Sequence, residues 1–289
     1  MKTGYLAKLG LAACLLCSLS FSAAFARSAD PGGHTNRGVR YARDKKYDKA
    51  IDEFTKAIKA QPKDAKNYTN RAQVYQLTGK RKEAIADYGK VIELDPKNKD
   101  AYANKGLLEV QQTKYDAAIG DLSKALELDK KNTSALRYRA YAYLQKQQWD
   151  RAAADYSTLI AKMPDDIELR DRRAYICRNM KRYDLAIYDL TKVIDKRPND
   201  AEAYRRRAYT YRLAKQFDKA ADDFRKVLEL KPGDPDATAR LKYAEFKLRP
   251  TPPPIPTKPI PASAGEEAAR RADAERAKAR ARPTPTPGG

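Results

Sequence analysis

The chain has 289 residues, and 59 Lys and Arg against 38 Asp and Glu give it a formal net charge of +21. So basic a protein is drawn to anionic polymers and surfaces. Three cysteines and a single histidine are too few for a disulfide scaffold or a histidine-built metal or catalytic centre.

The first 26 residues read as a secretory signal peptide. Lys2 and Lys8 form a short positive start, residues 9–26 carry no charge, and Ala24-Phe25-Ala26 offers a small-x-small exit before Arg27. Two alternatives stay open. The run is at the lower edge of a membrane-spanning length, so it can serve as an uncleaved anchor, and Leu11-Ala12-Ala13-Cys14 resembles a lipobox, with Cys14 the lipidated residue. Membrane contact is expected only in those two cases. Cleavage near Ala26 gives a periplasmic or secreted protein and removes Cys14 and Cys17. Cys177 then has no cysteine to pair with and reads as a small buried apolar residue. Export also changes the meaning of the charge: acidic peptides, anionic glycans and lipid head groups become the expected polyanions, and nucleic acid is not expected.

After a short lead-in at 27–30, Ala50, Ala84, Ala118, Ala152, Ala186 and Ala220 recur every 34 residues. A fixed period of this length marks a solenoid, in which each unit presents the same face to its neighbours. The units are 31–64, 65–98, 99–132, 133–166, 167–200 and 201–234, with the alanines at position 20 of each. Position 8 is small (Gly38, Ala72, Gly106, Ala140, Ala174, Ala208), and position 17 is aromatic except for Arg81. Position 24 is bulky (Phe54, Tyr88, Leu122, Tyr156, Leu190, Phe224), and position 32 is proline except for Lys130. Small residues at 8 and 20 let two helices approach, large ones at 11, 17 and 24 fill the space between, and the proline stops the second helix. Residues 235–248 continue as a helix that is polar on one side, as a capping element requires. From Arg249 the chain turns to a Pro-rich linker, an Ala-, Arg- and Glu-rich stretch at 264–281 that suits a short exposed helix, and a disordered end at 283–289. This 249–289 tail reads as a spacer, a Pro-rich ligand or a basic contact segment.

These columns resemble the tetratricopeptide repeat (TPR) family over residues 31–234. The third unit departs furthest, with Glu109 in place of Tyr at position 11 and no proline at 32. The resemblance implies an all-α, right-handed solenoid of six helix pairs, with the first helix of each unit lining a concave groove.

Two charged columns run through every unit. Position 7 is basic (Arg37, Arg71, Lys105, Arg139, Arg173, Arg207) and position 23 acidic (Glu53, Asp87, Asp121, Asp155, Asp189, Asp223). Opposite charges at a constant offset point to a structural ion-pair ladder. By the family resemblance, positions 2, 5, 6, 9, 12 and 13 face a ligand. In the last three units these positions hold Arg137, Tyr138, Tyr141, Arg172, Tyr175, Arg178, Arg205, Arg206, Tyr209 and Arg212, while the first three offer neutral polar groups such as Asn36, Asn70 and Gln76. Arg forks and Tyr rings together suit carboxylate-bearing ligands.

His34 has no Cys or carboxylate cluster beside it in sequence, and no nucleophile elbow, phosphate-binding loop or zinc-protease motif occurs. The expected function is therefore a non-enzymatic exported scaffold that binds an acidic peptide or partner segment, with no cofactor and no metal. The alternatives are a basic envelope protein that binds anionic glycan or lipid surfaces, and an accessory subunit of an envelope complex.

Overall fold

A computed structural model describes residues 33–249 and 262–280. The described residues form fourteen helices and no strand. Twelve are arranged as antiparallel pairs, one pair per repeat: α1 (His34–Arg43) with α2 (Tyr47–Ala60), α3 (Ala65–Leu77) with α4 (Arg81–Leu94), α5 (Lys99–Gln111) with α6 (Tyr115–Leu128), α7 (Thr133–Gln145) with α8 (Trp149–Lys162), α9 (Ile167–Asn179) with α10 (Tyr183–Lys196), and α11 (Ala201–Leu213) with α12 (Phe217–Leu230). The capping helix is α13 (Pro235–Leu248). A separate unit begins at Phe246 and contains α14 (Ala262–Arg280), whose side chains are exposed from 265 to 278. The predicted signal segment at 1–26, the linker at 250–261 and the end at 281–289 lie outside the described residues.

Each turn within a pair has the same construction. Position 15 is left-handed in every unit, at Lys45, Gly79, Thr113, Gln147, Lys181 and Lys215. The following N–H then bonds back to the carbonyl at position 11, as in Lys46 to Tyr41 (2.8 Å) and Arg182 to Cys177 (2.8 Å). This Schellman closure satisfies carbonyls that the helix end would otherwise leave open. Turns between units use the side chain at position 34. Asp64, Asn98, Asn132, Asp200 and Asp234 each accept a backbone N–H from the first turn of the next helix, a contribution of about 1 kcal/mol apiece.

All six alanines of the ladder are fully buried, which fixes the close approach of the paired helices. The bulky residue at position 24 fills the remaining space, at about 1.5–3 kcal/mol for each side chain removed from water. Two units close further by using glycine at position 8. A Cβ on Gly38 would stand 2.7 Å from the Phe54 ring, and one on Gly106 would stand 2.6 Å from Leu122 Cγ.

The charged columns meet within each unit. Arg37 pairs with Glu53 at 2.7 Å, Arg71 with Asp87 at 2.7 Å, Lys105 with Asp121 at 2.5 Å, and Arg139, Arg173 and Arg207 with Asp155, Asp189 and Asp223 at 2.8 Å. Four of these arginines also cross to the preceding unit. Arg71, Arg139, Arg173 and Arg207 donate through Nη1 to the hydroxyls of Thr55, Ser123, Ser157 and Thr191. One guanidinium thus ties the two helices of its own unit together and fastens that unit to its neighbour.

The junction between the second and third units differs. Gly89 stands where its counterparts carry a hydroxyl, and Lys105 replaces arginine. Lys105 is shared between Asp121 and Glu109, the latter at 3.2 Å. Glu109 occupies the position-11 column that is tyrosine in four units; it is buried, and its Oε2 has no hydrogen-bond partner. Burial and the neighbouring Asp121 push its carboxyl up to about 7.

Candidate functional site

The first helices of the last three units bring the predicted arginines and tyrosines onto one face. Here α7, α9 and α11, with parts of α8 and α10, surround a cavity of ≈ 520 Å³. Five predicted residues line it: Tyr141, Arg172, Tyr175, Arg178 and Arg206. Trp149, Leu144 and Leu190 add apolar surface, and Gln145, Gln147 and Asn179 add amides.

The aromatic side chains hold one another in place. Trp149 and Tyr175 meet edge to face with centroids 6.2 Å apart, and Tyr115 and Tyr141 do so at 6.4 Å. Arg178 lies over the Tyr175 ring at 5.5 Å. Below them Tyr156 is fully enclosed, and burial pushes its phenol up to about 12. The lining also contains two carboxylates that the arginine–tyrosine pattern did not single out, Glu168 and Asp171. Each faces a guanidinium: Arg197 is 3.0 Å from Glu168, and Arg206 Nε is 3.0 Å from Asp171. Burial raises the Asp171 carboxyl.

The other five predicted residues lie outside this cavity, for reasons visible in the geometry. Arg137 donates to Asp166 at 2.8 Å. Arg205 binds Asp234 at 2.6 Å, Asp236 at 3.3 Å and Glu202 at 3.3 Å. Position 5 thus faces the position-34 carboxylate of its own unit, and in these two units arginine fastens the junction rather than the groove. The Arg205 guanidinium holds the Asp234 carboxyl down at about 2. Tyr209 donates to Asp236 and packs on Phe224 at 5.6 Å, Arg212 lies over Tyr209 and Tyr243, and Tyr138 packs half-buried against the central core.

Among the described residues no group of histidine, cysteine and carboxylate side chains could hold a metal ion, and no helix is long and apolar enough to cross a membrane. His34 shares Glu53 with Arg37, with its Nδ1 2.9 Å from Oε2. Cys177 is buried, and burial pushes its thiol up.

Tetratricopeptide repeat models match residues 31–64, 65–98, 104–167 and 201–234. The chain is a tetratricopeptide repeat protein. Among solved TPR structures, YrrB, a TPR protein with an unusual peptide-binding site, is 25% identical with a TM-score of 0.58, over 65% of this chain and 97% of that one. MamA of AMB-1 is 22% identical with a TM-score of 0.53, covering 60% of this chain and 94% of that one. MamA (residues 41 to the end) from Desulfovibrio magneticus RS-1 is 19% identical with a TM-score of 0.52, covering 59% and 97%. The two MamA proteins share the TPR fold. No curated protein sequence matches this TPR chain significantly. Tandem TPR units and the likeness to these arrays make the protein a scaffold for protein–protein interaction.

Proposed function

We propose that this TPR scaffold is exported and holds an acidic segment of a partner protein in the groove formed by its last three units. The observation that carries the reading is the cavity of ≈ 520 Å³, in which aromatic walls stand beside Arg172 and Arg178. The lining holds three arginines, Arg172, Arg178 and Arg206, against two carboxylates, Glu168 and Asp171, a net positive charge. Forked donors on a preformed aromatic surface suit carboxylates of an extended peptide. The peptide-binding site of YrrB, on a related array, supports a peptide as the ligand.

The test is fluorescence polarisation with fluorescein-labelled aspartate-rich peptides. Replacing Arg172 and Arg178 together by Ala should weaken binding by roughly 10–100-fold, as expected for loss of two charge-assisted contacts. Unchanged affinity in a variant with an intact helical spectrum overturns the assignment. Export is supported by the pattern of residues 1–26, and a mature chain beginning at Arg27 by mass measurement is the expected result.

The net charge of +21 favours one other reading, in which the whole basic surface holds an anionic envelope polymer. Salt separates the two. Polyanion binding falls steeply between low and physiological ionic strength, whereas binding at one cavity by a few contacts changes modestly.

A further inference from the structure

The cavity lies against a column of the repeat that carries a smaller residue in the fifth unit. Position 24 carries a ring in four units, at Phe54, Tyr88, Tyr156 and Phe224, and leucine in two, at Leu122 and Leu190. In the third unit the smaller side chain is matched by Gly106, and Leu122 closes onto that glycine until no Cβ would fit. The fifth unit has no such compensation. Ala174 stands opposite Leu190, the residue type that stands opposite Tyr88, Tyr156 and Phe224 elsewhere, and both Ala174 and Leu190 line the cavity. In the sixth unit the tyrosine at position 9 has a ring to pack on, Tyr209 against Phe224 at 5.6 Å. In the fifth, Tyr175 and Leu190 both line the cavity, and Tyr175 meets Trp149 of the preceding unit edge to face, as Tyr141 meets Tyr115.

We infer that Leu190 opens a slot in the groove floor that receives one aromatic side chain of the bound segment, so that the partner is an acidic peptide with an aromatic anchor. This rests on the groove reading above and adds its specificity. The incoming ring takes the place against Tyr175 that Phe224 has against Tyr209, with Trp149 as the second wall. The charge around the slot selects the residues that flank the anchor. Arg172, Arg178, Arg197 and Arg206 outnumber Glu168, Asp171 and Asp200, so carboxylates on either side of the ring are favoured and basic flanks are repelled.

The test fills the slot with side chains that the same fold already accepts. Leu190→Tyr recreates the Ala and Tyr pair of the second and fourth units, and Leu190→Phe recreates the Ala and Phe pair of the sixth. The probes are two labelled nonapeptides, each with a central residue flanked by aspartates, phenylalanine in one and alanine in the other. The full wild-type chain should prefer the phenylalanine peptide by roughly 30-fold, the usual weight of a buried aromatic anchor. Both filled variants, with unchanged helical spectra and undiminished Tm, should bring that preference within about threefold. Absence of the preference in the wild type, or its persistence in both filled variants, overturns the slot. The Arg172→Ala/Arg178→Ala variant separates the two levels of the argument. If both peptides bind the wild type equally and both are weakened by the double variant, the groove stands and the slot falls. If neither peptide binds the wild type, the groove reading itself fails.

Discussion

Arg173→Ala should be among the most destabilising single substitutions away from the apolar core. Asp189 is 0% exposed and receives Nε and Nη2 of Arg173, both at 2.8 Å. Without Arg173, the nearest remaining cation is Arg170 at 3.6 Å, beyond good hydrogen-bond length. Stranding a buried carboxylate costs about 3–5 kcal/mol, and the lost bond to Ser157 (3.0 Å) adds about 0.5–1.5 kcal/mol. For an array of this size the loss corresponds to a Tm lower by roughly 7–26 °C. Arg173→Lys keeps the charge but not the fork, and should cost about 1–2 kcal/mol. Arg173→Met with Asp189→Leu removes both partners and should recover most of the loss, since a buried pair replaced by apolar side chains is often neutral. Repeat arrays open unit by unit, so thermal melts should be paired with amide exchange in α9 and α10. A loss below about 1 kcal/mol for Arg173→Ala, or a double variant as unstable as the single one, would refute the reasoning.

Glu109 makes stability depend on pH near neutrality. Its folded carboxyl titrates at about 7 against an ordinary 4.5, so the folded chain holds the extra proton between those values. Stability therefore falls as pH rises from 4.5 to 7, and Glu109→Gln should flatten that slope in urea titrations and gain about 1–3 kcal/mol at pH 8. Gly106→Ala should lower the unfolding free energy, read from urea titrations, by about 1–2 kcal/mol despite the better helix propensity of alanine, because its Cβ meets Leu122 Cγ at 2.6 Å. Arg205→Ala should speed amide exchange over residues 237–244 in the capping helix by releasing Asp234 and Asp236. Asp234, depressed from 3.8 to about 2, gives a support present above pH 4 that is lost as pH falls through 2, visible by NMR as fraying of α13.

The fold was legible because its determinants are local and repeated. The position-20 alanines and the small residues at 8 each state one steric requirement six times over, and the prolines at 32 state theirs five times, so noise in one unit cannot hide it. The pairing of positions 7 and 23 was legible for the same reason. The second role of those arginines, the bond to a hydroxyl two residues after the acid of the preceding unit, needed the geometry of the junction, although Thr55, Ser123, Ser157 and Thr191 form a column once it is sought. The groove was half legible. Resemblance indicated the positions that face it, but not that Arg137 and Arg205 would be taken up by Asp166 and Asp234. Sequence shows a charge, and only the folded turn shows which carboxylate reaches it first. Glu168, Asp171, Gln145 and Asn179 occupy the expected positions but fall outside the arginine–tyrosine pattern. Leu190 left the clearest unread signal, a leucine in a largely aromatic column without the glycine that accompanies Leu122.

The Lys105 and Gly89 junction has a mechanical consequence. Arginine-to-hydroxyl ties bind the first unit to the second, and the third through sixth to one another, but the second and third meet without one. A spring with one softer coil concentrates its bending there. The seam is bridged instead by an exposed bond from Arg81 to Gln111, a weaker tie than a half-buried guanidinium fork, so bending of the array is expected there, and the groove lies wholly in the four repeats beyond it. Tension on the amino-terminal end should therefore open this seam before it deforms the groove.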